Sequence, residues 1–193
     1  MLETGYCRVD GRVAYGEKER GKVNCYATCA LLHHTEKGWL LFDTGYAPRV
    51  VEATHDFPYS LYAMATPLHI RPERAAVNQL PRLGLSPADI QTIVVSHFHA
   101  DHIGGLLDFP EAVLVCSRDA YAAVAGLTGL AAVRRAFLPA LMPPDFVERA
   151  VWTETLSATT GKPEHRDLFG DGSCVLVPLP GHAAGQIGLL AAT

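Results

Sequence analysis

One short stretch constrains this chain more than any other, because three histidines and an aspartate fall within six positions directly after an apolar run. The run Thr92 to Ser96 is compact and β-branched, which predicts a buried strand. His97 and His99 follow it, and two residues this far apart in extended backbone face the same side. Asp101 and His102 come where the chain turns into a helix, which aims them back toward the same point.

Three imidazoles and a carboxylate held this closely are typical of a metal-binding site. Without a cation, four such groups would repel one another on protonation and would lose solvation without compensation. Nitrogen and oxygen ligands of this kind suit Zn²⁺, and Fe or Mn less decisively. Gly104 and Gly105 follow the motif and allow the backbone to approach a crowded site closely. We therefore predict a metal centre at this strand end.

A second strand end supplies a further candidate ligand. His182 follows the strand predicted over Ser173 to Leu179 and precedes the strand predicted over Gln186 to Leu190. Ligands collect at strand ends in α/β sheets. We predict that His182 is the third imidazole beside His97 and His99, which would leave an open position of the kind that catalytic zinc sites keep.

Asp43 ends another predicted strand, Gly38 to Phe42. It is either a carboxylate that holds a ligand imidazole in place or an ordinary turn aspartate that fixes Thr44-Gly45. The other histidines have no partner pattern, and we predict surface or satisfied core positions for all of them: His33, His34, His55, His69 and His165.

Composition sets the class of protein around this centre. The 193 residues are 49% hydrophobic and 19% charged, which supports one domain over residues 1–193 with a substantial core. Lys plus Arg is 16 and Asp plus Glu is 20, so the net charge is 16 − 20 = −4. The densest basic patches are Lys18 to Arg20 and Arg134-Arg135, too short to favour nucleic acid as a partner.

Neither the N-terminus nor the rest of the chain carries a targeting or membrane-spanning signal. Met1 to Asp10 has no apolar signal-peptide core, and no stretch approaches ~20 consecutive apolar residues. We therefore expect a cytoplasmic protein with no membrane partner. The five cysteines are odd in number and mostly scattered, which predicts free thiols rather than a disulfide framework.

Strand and helix signals alternate along the chain, which predicts an α/β fold with mixed sheets. Further strands are predicted over Asn24 to Leu32, Ala112 to Cys116 and Val147 to Thr155. A helix is predicted over Glu73 to Leu83, with an end or a kink near Leu80 because Pro81 interrupts its last turn. Further helices are predicted over Ile103 to Phe109, Arg118 to Ala125 and Leu130 to Leu138.

The order of the motifs resembles that of the metallo-β-lactamase superfamily. The chain carries Phe42-Asp43-Thr44-Gly45, then the His-x-His-x-Asp-His run, then Pro180-Gly181-His182. The resemblance runs from about Asn24 to the end of the chain. It implies a four-layer αββα sandwich with the metals at one edge of the paired sheets. The lactonase branch and generic metal-dependent hydrolases are more similar to this chain than true β-lactamases are.

The same resemblance implies a ligand set. His97, His99 and His182 would bind a first metal, and Asp101 and His102 would bind a second. Members of the family carry a further aspartate that bridges both metals and a last histidine for the second metal. No Asp or His follows His182 in this sequence. We therefore expect that the sequence is cut short and that the C-terminal part of the sandwich is missing.

These residues predict a metal-dependent hydrolase of a small-molecule substrate. A zinc-activated hydroxide would attack the carbonyl carbon of a lactone, ester, thioester or amide, and a metal would polarise the carbonyl oxygen. Asp101 would orient the hydroxide and pass its proton to the leaving group. The apolar segments His55 to Ile70 and Gly126 to Phe146 would cover an apolar group of the substrate, pack within the fold or form a homodimer contact.

Two other functions stay open at this point. One is a mononuclear iron oxygenase or redox enzyme on the same fold, although the presence of both Asp101 and His102 favours the hydrolase. The other is a truncated or degenerate member that binds metal without catalysis.

Overall fold

The computed structural model describes residues 1–16, 20–153 and 165–192, and these ranges contain ten strands and eight α-helices. Lys18 and the last two residues of the strand predicted over Val147 to Thr155 lie outside the described residues. None of the helices in these ranges has the length and hydropathy needed to cross a bilayer.

The strands are β1 (Leu2–Asp10), β2 (Lys22–His34), β3 (Gly38–Phe42), β4 (Leu68–His69), β5 (Ile90–Val95), β6 (Val113–Ser117), β7 (Ala150–Thr153), β8 (Arg166–Asp167), β9 (Cys174–Pro178) and β10 (Ile187–Ala191). The α-helices are α1 (Gly11–Tyr15), α2 (Arg49–Ala53), α3 (Ser60–Ala65), α4 (Ala76–Gln79), α5 (Ala100–Ile103), α6 (Arg118–Ala122), α7 (Gly129–Val133) and α8 (Phe146–Arg149).

Two sheets form the centre of the fold. The larger has the strand order β4-β1-β2-β3-β5-β6-β7, antiparallel from β4 to β3 and parallel from β3 to β7. The smaller is antiparallel, in the order β10-β9-β8. Phe42 of β3 pairs with Val94 of the parallel strand β5. Because parallel strands end at the same edge of a sheet, the residues after β3 and after β5 emerge side by side.

The alternation of side chains along the strands explains how the layers stack. Ile93 of β5 joins the large core that the helices cover, whereas Val94 points to the opposite face. There Val94 and Val115 pack against Leu176 and Ile187 of the smaller sheet. Helices therefore cover one face of the large sheet and the small sheet covers the other. This arrangement confirms the predicted α/β class with mixed sheets.

Several predicted helices are shorter or more broken than expected. In place of one helix over Glu73 to Leu83, the short helix α4 is flanked by single 3₁₀ turns. The break predicted near Leu80 is confirmed, because Pro81 has no N–H and cannot continue an α-helical ladder. The helix predicted over Leu130 to Leu138 ends at Val133, where the chain turns through Ala136 with φ 49°.

Two further differences concern strands. The strand predicted from Val147 begins only at Ala150, because residues 146–149 form α8. The N-terminal strand β1 was not predicted, since a register shift between Glu3 and Gly5 interrupts its alternation against β2.

Candidate metal centre

Three imidazoles from two distant loops meet at one end of the sheets. His97 and His99 follow β5, and His182 lies in the loop between β9 and β10. One ligand atom from each ring lies within 4.8 Å of the others. The rings pack edge to face, with centroid separations of 4.5 Å for 97–99, 5.0 Å for 97–182 and 4.6 Å for 99–182. We call these three residues the three-histidine cluster.

Backbone contacts bring the His182 loop to this place. The N–H of Ile187 donates to the carbonyl oxygen of Ser96 at 3.0 Å, which ties the start of β10 to the end of β5. Gly185 has φ 61°, and a Cβ there would collide with the backbone nitrogen of Ala120. Glycine suits this position because it adopts a positive φ without strain and has no Cβ to collide with the neighbouring backbone. The loop is therefore seated by its backbone, and His182 reaches the cluster although its side chain is exposed.

Asp101 and His102 lie on the first turn of α5, next to the three-histidine cluster. The rings of His97 and His102 are 4.0 Å apart between centroids. Nε2 of His102 is 3.4 Å from Oδ2 of Asp101, and Nδ1 of the same ring is 2.7 Å from Oδ2 of Asp43. The structure thus brings all five predicted ligands and Asp43 to one edge of the fold.

The carboxylate of Asp43 is buried and contacts the site rather than its own turn. It accepts hydrogen bonds from the backbone N–H and the hydroxyl of Ser96, both at 2.7 Å, as well as facing His102. The N–H of Thr44 donates instead to the carbonyl oxygen of His102 at 2.8 Å. Of the two interpretations offered by the sequence, the geometry favours a carboxylate that holds an imidazole.

The contact between Asp43 and His102 depends on close packing of the segment after β3 against α5. Asp43 itself adopts φ 61°, an unusual conformation for a residue other than glycine. A Cβ on Gly104 would lie 2.7 Å from the carbonyl oxygen of Gly45 and 2.9 Å from a methyl of Val50. The absence of a side chain at Gly104 therefore lets α5 approach the segment after β3, as the Gly-Gly pair predicts.

Ser96, for which no role was predicted, links Asp43 to His97. Its single hydroxyl hydrogen goes to the Asp43 carboxylate, because an ionised carboxylate only accepts. The Ser96 oxygen, 2.9 Å from Nδ1 of His97, therefore accepts the proton of that nitrogen. This assigns the His97 tautomer and leaves its Nε2 with a bare lone pair. The sequence signal that could have found Ser96 is a lone hydroxyl between an apolar run and the first histidine.

The bare nitrogen of His97 provides a test of whether these residues fit a metal ion. His97 is 1% exposed, and its Nε2 is buried with no hydrogen-bond partner among the described residues. A buried polar atom left without a partner costs about 1–3 kcal/mol. A cation bound by the three-histidine cluster would satisfy that lone pair. Neutral imidazole nitrogens at this spacing fit the ligand preferences of Zn²⁺.

Burial keeps His97 and His99, two members of the three-histidine cluster, in the neutral form that a metal requires. It lowers the pKa of His97 to about 2, and the neighbouring imidazoles of His102 and His99 reinforce the effect. Burial likewise lowers the pKa of His99 to about 4, against the opposing charge of Asp101. Both rings therefore carry free lone pairs across the physiological pH range.

The neighbouring pair behaves in the opposite way. Burial disfavours the charged form of His102, but the carboxylates of Asp43 and Asp101 outweigh it and raise the His102 pKa well above its usual value. Burial would raise the pKa of Asp101, yet His102 outweighs that effect and lowers it. The two residues therefore stabilise each other's charge.

A cavity of about 400 Å³ opens onto the three-histidine cluster. All three imidazoles line it, together with Arg134 and Arg135, which form only a short basic patch in the sequence. The other histidines predicted as surface or core residues are not among the described residues that line this cavity: His33, His34, His55, His69 and His165. His34, for example, is buried and lies 2.7 Å from the carboxylate of Asp171, as expected for a satisfied core residue.

Most of the sequence matches the model of one protein family. Residues 22–188 match the metallo-beta-lactamase superfamily domain, so the chain belongs to that superfamily. This confirms the family predicted from the three motifs. The mixed α/β architecture with its large mixed sheet is the fold expected of this family.

Individual relatives place it more closely. An N-acyl homoserine lactonase, AttM of Rhizobium radiobacter, is 30% identical over 124 residues, which cover 61% of this chain and 42% of the relative. A probable metallo-hydrolase of Mycobacterium tuberculosis is 33% identical over 176 residues, covering 86% of this chain and 54% of the relative. The chain thus spans about half the length of these curated relatives.

Solved structures show the same fold. A variant of AiiA from Bacillus thuringiensis, solved with N-decanoyl-L-homoserine at its active site, superposes with a TM-score of 0.75. That match covers 98% of this chain and 68% of the other at 22% identity. At this identity the likeness concerns the fold alone.

Proposed function

We propose that this protein is a zinc-dependent hydrolase that opens the ring of a small lactone, with ester, thioester and amide substrates ranked behind it. The observation that carries the proposal is the three-histidine cluster beside the carboxylate of Asp101. In this cluster the buried Nε2 of His97 has no hydrogen-bond partner in the part of the chain that the structure describes. The relatives named as N-acyl homoserine lactonases favour the lactone among carbonyl substrates.

The residues have distinct roles in this proposal. His97, His99 and His182 hold the first ion, while Asp101 and His102 provide ligands to a second. When bound, zinc lowers the pKa of a coordinated water toward ~7 and polarises a carbonyl oxygen. Asp43 accepts the Nδ1–H of His102 and so keeps its Nε2 directed into the site.

Asp101 is the proposed proton carrier. Its side chain is 31% exposed, so it faces both the cluster and the solvent side of the site. A carboxylate there can accept the proton of the attacking water and return it to the alkoxide that leaves the opened ring. The ring oxygen then departs as an alcohol, and the product is a hydroxy acid.

The first experiment measures metal content and turnover together. Protein purified without added metal is analysed for zinc, iron and manganese, and then assayed on matched lactone, ester, thioester and amide substrates. We expect zinc, with lactone hydrolysis that a chelator abolishes and zinc restores. Iron with consumption of O₂ would favour an oxygenase. Bound metal without turnover of any substrate would favour a non-catalytic metal-binding protein.

A further inference from the structure

The cavity above the three-histidine cluster has a charged wall that the hydrolysis reaction does not require. Arg134 and Arg135 both line it, and both are exposed. Neither has an ion-pair partner within residues 1–16, 20–153 and 165–192. Two guanidinium groups that lack an ion-pair partner among the described residues, beside a site for a cation, create a strongly positive cavity in a protein whose net charge is −4.

The arginines are not needed to cap the helix that precedes them. Helix α7 ends in backbone hydrogen bonds from Phe137 N–H to the Ala132 oxygen at 3.0 Å and from Ala136 N–H to the Val133 oxygen at 2.9 Å. This is the Schellman arrangement, in which the backbone itself satisfies the last carbonyls. The two side chains are therefore available to a ligand.

The turn that carries the arginines is fixed to the metal-binding loop. Ala136 adopts φ 49°, which is unfavourable for a residue with a Cβ. In this conformation its carbonyl oxygen accepts a hydrogen bond of 3.0 Å from the N–H of Ala100, between His99 and Asp101. The arginines thus have a defined position relative to the cluster.

Apart from Phe98, the rest of the cavity wall is made of small or aliphatic residues. Ala120, Ala123 and Val124 form one side, and Ala183 and Ala184 another. No carboxylate belongs to the described residues that line it. A ligand that fits this wall has a short aliphatic segment between a carbonyl at the cluster and a negative charge at the arginines.

We propose that Arg134 and Arg135 form an anion-binding wall, so that the preferred substrate is a lactone whose acyl chain ends in an anionic group. This inference rests on the proposed hydrolase function and specifies its substrate class. Guanidinium groups bind carboxylates through paired, charge-assisted hydrogen bonds. The aliphatic wall accommodates the methylene groups that connect the carboxylate to the reacting ring.

The test compares two lactones that differ in one terminal group. N-adipoyl homoserine lactone ends in a carboxylate, and N-hexanoyl homoserine lactone of the same chain length ends in a methyl. For the zinc-loaded protein we expect kcat/KM to be about tenfold higher for the adipoyl compound. The R134Q/R135Q variant should bring the ratio to within about twofold of one, and R134E/R135E should invert it.

A matched control and a salt series separate this effect from a change in net charge. The R20Q/R82Q variant removes the same charge at two exposed positions outside the cavity lining, and should retain the tenfold preference. Raising NaCl from 50 to 500 mM should reduce the preference, because the arginines are exposed. A ratio near one in the wild type, or one that R134Q/R135Q leaves intact, would overturn the anion-binding wall while leaving the hydrolase in place.

A binding measurement judges the inference separately from turnover. Calorimetry with chelator-treated protein compares adipamic acid, which has one carboxylate, with uncharged hexanamide. We expect tighter binding of the acid by about tenfold, and loss of this difference in R134Q/R135Q. Equal binding of the two probes would overturn the proposal. If neither lactone is hydrolysed, the proposed function fails, and this measurement still decides whether the wall binds anions.

Discussion

The three-histidine cluster and His102 lie side by side, yet their surroundings favour opposite charge states of the imidazole ring. His97, His99 and His182 have no ion-pair partner in the described part of the chain, and burial holds His97 and His99 neutral. His102 lies between the carboxylates of Asp43 and Asp101, which favour its charged form.

This difference indicates which half of the site depends on a cation. The three-histidine cluster has an unsatisfied buried lone pair that only a ligand outside the described residues can meet. The His102 half is already balanced by the protein's own carboxylates. We therefore expect a first zinc ion to bind tightly at the cluster and a second to bind more weakly, because it must displace the proton that His102 shares with its neighbours.

The largest effect should come from removing one imidazole of the cluster. His182→Ala should weaken the tighter zinc-binding step about 10³-fold, since it removes one of the three imidazoles that hold the ion. His182 is exposed, so the fold should remain stable. A competitive chelator titration measures the affinity, and His165→Ala, at another exposed histidine, is the control. Unchanged zinc affinity would remove the basis for the comparison.

A smaller loss of zinc affinity, mainly at the weaker step, is expected when the carboxylate that contacts His102 is changed. Asp43→Asn keeps the shape of the side chain but removes the charge that accepts the Nδ1–H of His102. The weaker zinc-binding step should lose about 10–100-fold in affinity, and the tighter step should lose less. Asp108→Asn, at a carboxylate paired with Arg49 away from the site, is the control. Equal losses at both steps would show that the two halves are not distinct.

Acidification should reveal the neutral imidazoles of the cluster in metal-free protein. Both His97 and His99 have a lower pKa when folded than the ~6.5 of an unfolded histidine, so the unfolded state binds more protons below pH 6.5. The free energy of unfolding should fall by about 3 kcal/mol between pH 6.5 and 5. His102, with its raised pKa, adds no change there and loses its stabilising contribution only as the pH rises above 6.5.

Urea unfolding of chelator-treated protein at several pH values measures this slope. The variant His97→Gln should show a shallower slope, because it removes one of the two imidazoles. A flat profile between pH 6.5 and 5 would contradict the neutral state assigned to the cluster.

The smallest loss of zinc affinity and stability should come from changing Ser96, which contacts both Asp43 and His97. Ser96→Ala removes hydroxyl contacts to Asp43 and His97 in a buried position. Each zinc-binding step should weaken by up to about tenfold, and the free energy of unfolding should fall by about 1–2 kcal/mol. Zinc titration and urea unfolding measure these changes. A loss confined to one step would show that Ser96 supports only one half of the site.

Much of the sheet could be predicted because local periodicity encodes it. β3 was predicted with its observed bounds, Gly38–Phe42, and β5, β6, β9 and β10 lie within a few residues of expectation. Strands with one buried face repeat every second residue, and this pattern survives in the sequence. The predicted helices were less accurate, because short helices are ended by single turns such as that at Ala136 rather than by a change in hydrophobic pattern.

The chemistry of the site can be read from the amino-acid sequence alone: the residue types, the spacing of His97, His99, Asp101 and His102, and the family to which the chain belongs. The distant groups that meet these residues become known only from the folded chain. The contact between Ser96 and the His182 loop, the seat of Asp43 against His102 and the position of Arg134 beside the cavity depend on backbone approaches between separate elements. Such approaches are set by the packing of whole layers, and no local pattern in the chain records them.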